Sequence, residues 1–222
     1  MDLGFINIRP EFIIMFLCFI PAIVVHEVAH GYVAFRLGDP TAKSKGRITL
    51  NPLAHVDPFG TVILPLVLMV SGSPVFGYAK PVPYNPGYFK NIRQGEFLTG
   101  IAGPASNIIM ALLSAGFGRI IMLVLPAGSE VGYWVVFVCY LFTMVNLCLA
   151  FFNLIPLPPL DGSSIIALFL PDQALRQYYR IQRFALPILL IVIFILPMIT
   201  GVNILGIYIN ATAVNLSQFL FS

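Results

Sequence analysis

The chain has 222 residues, of which 59% are apolar and 9% charged, with 12 Lys+Arg against 9 Asp+Glu. A soluble domain carries about 25% charged residues, so these few charges cannot coat a water-borne body. Composition therefore speaks against a disordered tail, a secreted disulfide scaffold and a nucleic-acid binder. The mean hydropathy of +0.92 points to an integral membrane protein whose solvent is mostly lipid.

Cys18, Cys139 and Cys148 all lie inside apolar runs and read as reduced packing residues. Residues 11–36 are long enough to span a bilayer. Residues 12–25 resemble the apolar region of a signal peptide, but Arg9 is offset by Asp2 and Glu11 and the apolar run continues to Phe35. A retained helix is expected. His26, Glu27 and His30 lie near its end, and Pro21 kinks it or is accommodated by neighbours.

Residues 37–58 combine Lys43, Lys45 and Arg47 with several Gly and Pro, and Arg47-Ile48-Thr49-Leu50 reads as a short strand. The apolar stretch 61–70 is about half the length a span needs, so it is expected to dip in and return. A second short strand is expected within 75–83. Residues 97–125 form the next span and open with small residues. Residues 132–155 form another and end in Asn153-Leu-Ile-Pro-Leu-Pro-Pro-Leu-Asp161-Gly162. Beyond a polar stretch with Arg176, Arg180 and Arg183 come apolar segments 184–199 and 202–221, the latter a weak final span or an interfacial helix. The expected fold is an all-α polytopic membrane protein. It is a helical bundle of about five to six hydrophobic segments, with a small membrane-associated β-element and a re-entrant segment. Residues 1–222 read as a single membrane-embedded domain, with a core at about 11–162 and C-terminal hydrophobic segments at about 184–222.

The loops at 36–47, 80–93 and 176–183 hold ten of the twelve basic residues. By the positive-inside rule all three face the cytoplasm. Segment 61–70 then enters and leaves on one side, and the amino terminus is outside. Arg119 departs from the pattern and is expected to snorkel to the interface.

His26-Glu27-Val28-Ala29-His30 is an H-E-x-x-H motif. On a helix, positions i and i+4 share a face, so both imidazoles can reach one ion while Glu27 works on a water beside it. The competing reading is a packed histidine pair with an interfacial glutamate. That reading must also account for three ionisable groups in an apolar span, each costing about 3 kcal/mol when charged at the bilayer centre. Catalytic zinc takes three protein ligands and a water, and the third-ligand candidates are His55, Asp57, Asp39, Asp161 and Asp172. Asp161 stands out because prolines break the helix before it, which membrane depth tolerates only inside protein or around a cavity. From spacing alone, a helix stop with a surface turn remains equally open. His55 reads as a loop or interfacial histidine near the site, in a supporting or substrate-contacting role.

With these residues in view, the chain resembles the site-2 protease family of intramembrane zinc metalloproteases. The resemblance covers about residues 26–162. It rests on His26-Glu27-x-x-His30, on Gly103-Pro104-Ala105-Ser106-Asn107, and on Asn153 followed by Leu160-Asp161-Gly162. Gly77-Tyr78-Ala79-Lys80-Pro81-Val82-Pro83 fits the short form without a PDZ or CBS domain. The resemblance implies one Zn²⁺ per active site, held by His26, His30 and Asp161, with Glu27 as general base. It implies that Asn153 steadies substrate or the oxyanion, that Asn107 supports the site, and that the two strands lie beside it. It further implies transmembrane protein or peptide substrates in the lipid bilayer, no nucleic acid, and cleavage toward the cytoplasmic side. The alternative is a membrane metal-ion transporter using the His/Asp cluster as its ion site.

Overall fold

The computed structural model describes residues 10–63, 80–126, 128–182 and 184–222. The first long helix, α1 (Pro10–Arg36), carries Glu11 in its first turn and Arg36 in its last, the arrangement its dipole favours. It ends where the chain needs a left-handed residue. Gly38 has φ +106°, the Gly38 amide bonds the Phe35 carbonyl, and the Asp39 amide bonds the Ala34 carbonyl, which is a Schellman closure. A single turn, α2 (Thr41–Ser44), follows.

Two more long helices complete the centre. In α3 (Ile92–Val124) the Asn91 side chain caps the Gln94 amide. In α4 (Glu130–Asn153) Ser129 caps the Gly132 amide. The chain continues through α5 (Gly162–Phe169) and α6 (Asp172–Gln182). It then runs through α7 (Ala185–Leu190) and α8 (Leu196–Thr200), joined by a π-helical stretch, and through α9 (Ile204–Ile209) and α10 (Asn215–Phe221), joined by another.

Helix α3 packs against both α1 and α4. Its buried residues are Gly95, Thr99, Gly103, Pro104, Asn107, Ala111, Ala115 and Gly118. Most recur every fourth position, so one small-residue stripe lets backbones approach closely, as membrane helix packing requires. Cys18 and Ala22 of α1 pack with Leu141 and Val145 of α4. Ala111, Leu147 and Ala213 tie α3 and α4 to the C-terminal helices. Many large apolar side chains face outward, among them Leu123, Met198 and Ile199, as they do when lipid is the solvent.

Among the described residues, four helical stretches are long and apolar enough to cross a membrane: Ile13–Arg36, Ile92–Val124, Glu130–Asn153 and Ile204–Phe221. The sequence suggested five to six hydrophobic segments. Residues 184–199 fall short, because Pro187–Thr200 is a shorter apolar helix interrupted by π turns. The final stretch, left open between span and interfacial helix, has the length of a span.

The β-element is not seen: among the described residues there is no strand. Residues 48–49 form a bend, and 80–85 carry no regular secondary structure. The physical reason is on the chain. Pro81 and Pro83 lack N–H groups, the Val82 amide goes to the Glu27 carboxylate, and the Arg47 guanidinium takes the Lys80 and Pro81 carbonyls. A ladder there has almost nothing left to pair. The expected strand at 76–79 and most of the re-entrant stretch 61–70 lie outside the described residues. Of the latter region, Pro58–Ile63 is a π turn whose Phe59 and Gly60 amides bond the Asp57 carboxylate. Arg119 donates to the Ser222 backbone oxygen.

Candidate metal centre

The histidine motif lies in the second half of α1. The His30-to-Arg36 interval is six residues, about 9 Å of helix. Both rings are buried, His26 with 4% and His30 with 9% exposure. The His26 and His30 Nε2 atoms are 3.0 Å apart, and Asp161 Oδ2 lies 3.1 Å from the first and 3.3 Å from the second. His26, His30 and Asp161 thus form a group close enough to offer three ligand atoms to one metal ion.

Each imidazole is oriented through its other nitrogen. His26 Nδ1 donates to Asn107 Oδ1 at 2.6 Å, and His30 Nδ1 donates to the Thr99 carbonyl at 2.6 Å. Both partners belong to α3. Position 26 pairs with 107 and position 30 with 99, so α1 and α3 run antiparallel past one another. With the protons on Nδ1, both Nε2 atoms present lone pairs to each other and to a carboxylate oxygen. Three acceptors facing inward at this distance repel unless a cation lies among them.

Asp161 reaches the site because α4 stops short of it. Leu154 to Leu160 form tight turns, and Asp161 then stands at the N-cap position of α5 without capping it. Its Oδ2 is buried and has no hydrogen bond of acceptable geometry. The orphaned oxygen, the two Nε2 lone pairs and the two-nitrogen, one-oxygen donor set all fit a zinc ion with an open fourth position. Gly103 leaves room for the group: a Cβ there would sit 2.4 Å from His30 Nε2 and 2.6 Å from His26 Nε2.

The other third-ligand candidates are engaged elsewhere. The fully buried Asp39 carboxylate accepts from the Thr41 amide and hydroxyl and from the Asn85 amide. Asp57 caps the turn at 58–63, and Asp172 pairs with Arg93. His55 is buried, with Nε2 bonded to the Thr49 carbonyl at 2.9 Å, and it organises the loop rather than joining the cluster. Its own carbonyl accepts from the Lys80 amide, which helps seat the segment that meets Glu27.

Glu27 is half-buried beside the cluster, and its Oε2 accepts the Val82 amide at 2.8 Å. Asn153 is the last residue of α4 and donates one amide proton to the Leu149 carbonyl at 3.0 Å. Three participants escaped the sequence. The Thr99 carbonyl and Val82 amide are backbone groups and leave no residue-type signal. Asn146 left one: it is a polar residue in the middle of an apolar span, which by default marks a functional position.

The model of peptidase family M50 matches residues 12–196. The protein named "Putative zinc metalloprotease YwhC" from Bacillus subtilis is 38% identical over 197 residues, which cover 86% of this chain and 84% of that one. Two proteins named "Putative zinc metalloprotease Rip2" also match. The one from Mycolicibacterium smegmatis is 28% identical over 68% of this chain and 55% of its own length, and that from Mycobacterium tuberculosis H37Rv is 26% identical over 86% and 70%. No solved structure matches the chain.

Proposed function

This chain belongs to peptidase family M50, the site-2 protease family, and is a zinc metalloendopeptidase of the membrane; from that premise we propose that it hydrolyses peptide bonds within or near the transmembrane segments of other membrane proteins. The observation that carries the reading is the convergence of His26 Nε2, His30 Nε2 and Asp161 Oδ2 from one helix and a helix-breaking loop. These three would hold the zinc. The site lies inside the helix bundle, about 9 Å of helix before the end of a membrane-length segment, which suits a substrate that is itself in the bilayer.

When bound, zinc supplies Lewis acidity that eases both deprotonation of a water and charging of a carbonyl oxygen. The chain does the rest. Glu27 accepts the proton of the attacking water and returns it to the departing amine. The Val82 amide holds one Glu27 oxygen and leaves the other for that transfer. Asn153, at the mouth of the loop carrying Asp161, steadies the substrate carbonyl with the amide proton that Leu149 does not use.

A substrate helix hides its peptide bonds in its own hydrogen-bond ladder and must unwind locally. Segments weakened by Gly, Pro or Asn are therefore the expected substrates. Pairing of the unwound strand with residues 80–83 requires Arg47 or Glu27 to release its partner there. The Lys43, Lys45, Arg47, Lys80, Lys90 and Arg93 cluster near this end of α1 and α3 supports a site facing the cytoplasm and a multi-pass arrangement. The transport alternative needs a line of ion sites, and among the described residues no second group of this kind converges.

The test is Glu27→Gln in purified protein with a panel of model transmembrane substrates, with and without chelator. The amide oxygen can still accept the Val82 N–H, so the fold and zinc content should persist while cleavage is lost. Cleavage by the zinc-loaded variant at the wild-type rate would refute the assigned base.

A further inference from the structure

Asn107 holds His26, but nothing in Asn107 alone dictates which way its amide faces. Its Nδ2 donates to two acceptors, the Ala22 carbonyl of α1 at 3.1 Å and Asn146 Oδ1 of α4 at 2.8 Å. Asn146 is oriented in turn, because its own Nδ2 donates to the Phe142 carbonyl at 2.8 Å. Asn107 and Asn146 are both fully buried, so no water competes. The directions run one way along the chain: Phe142 carbonyl, Asn146, Asn107, His26 Nδ1, and finally a lone pair on His26 Nε2.

We infer that Asn146 is a positioning residue of the metal centre, selecting the zinc-binding tautomer of His26 through the Asn107 amide. The inference rests on the reading that His26 ligates zinc. Without Asn146 the Asn107 amide keeps one acceptor, the longer of the two. A flipped Asn107 would then donate to His26 Nδ1 and drive the ring proton onto Nε2, where it blocks coordination. Outer partners of metal-binding histidines matter on this scale: their loss lowers metal affinity about 10–100-fold.

Another polar bridge between α3 and α4 provides the control. Thr143, one turn before Asn146 and also fully buried, donates to the Ala111 carbonyl at 3.3 Å. That bridge joins the same two helices and touches no histidine.

The experiment uses the full chain purified in detergent, stripped of zinc and titrated against a chromophoric chelator, with helix content checked by circular dichroism. Asn146→Leu should weaken zinc binding about 10–100-fold, while Thr143→Val binds as wild type. In the zinc-free protein, ¹⁵N shifts of the histidines should report an Nδ1–H ring at His26 in wild type and an Nε2–H ring in Asn146→Leu. Folded Asn146→Leu with wild-type affinity, or an unchanged tautomer, overturns the inference. So does an equal loss in Thr143→Val, which would make Asn146 a packing residue. If Asn146→Leu does not fold, Asn146→Ser decides: its hydroxyl can return to the Phe142 carbonyl but cannot reach Asn107, so weakened zinc binding supports the relay and retained binding overturns it. Wild-type zinc binding that survives His26→Ala would instead sink the reading of His26 as a ligand.

Discussion

Gly103→Ala is the sharpest perturbation of the metal centre, because it changes one methyl group and no charge. Gly103 is helical with an ordinary backbone conformation, so alanine introduces no strain in α3 and by propensity alone would favour it by about 1 kcal/mol. The added Cβ would lie 2.4 Å from His30 Nε2 and 2.6 Å from His26 Nε2 and Cε1, where ordinary contact begins at 3.4 Å. The overlap is about 1 Å against the nearer nitrogen. Neither ring can swing aside freely, since Asn107 and the Thr99 carbonyl hold them at 2.6 Å. Overpacking of this kind costs about 1–3 kcal/mol, which corresponds to about 5–150-fold weaker zinc binding if the strain is felt in the loaded state. The assay is zinc competition in detergent followed by cleavage of a model substrate at saturating zinc. Gly116→Ala in the same helix, where a Cβ meets nothing within 4 Å, should bind zinc as wild type. Wild-type affinity in folded Gly103→Ala would refute the claim that the His26 and His30 Nε2 atoms packed against Gly103 would hold the zinc.

Two further outcomes follow from the loop and from the rejected ligands. In Gly162→Ala the new Cβ would lie 2.3 Å from the Leu154 carbonyl oxygen and 2.6 Å from that of Ile155. Backbone cannot yield cheaply, so the turn presenting Asp161 should shift, lowering thermal stability by about 1–3 kcal/mol and zinc affinity with it, both readable by melting with and without zinc. Asp39→Ala and Asp161→Ala should separate stability from metal binding. The first strands the Thr41 and Asn85 donors at about 1–3 kcal/mol per group yet leaves zinc binding intact in the folded protein. The second should abolish tight zinc binding with little cost to the zinc-free fold; equal zinc affinity in the two variants would remove Asp161 from the ligand set.

What local rules control was legible without coordinates. The apolar runs that became α1, α3 and α4 are set by chain-long hydrophobicity, and four-residue spacing puts His26 and His30 on one helix face whatever surrounds them. The prolines after Asn153 break a helix in any context. Among the aspartates, however, choosing a ligand depends on distances across more than a hundred residues. Only the packing of α1 on α3 and the turns after α4 brought Asp161 to 3.1 Å from His26 Nε2 while Asp39, Asp57 and Asp172 found other partners. The strand expected at 47–50 did not form for the same reason: alternation of side chains suggests an extended backbone, but a sheet needs a neighbour with free donors and acceptors, and Glu27 and Arg47 had taken those at 80–82. The tautomer of His26 is the clearest case. It is decided by the facing of two buried amides on two other helices, a relation between side chains that meet only once the bundle has closed.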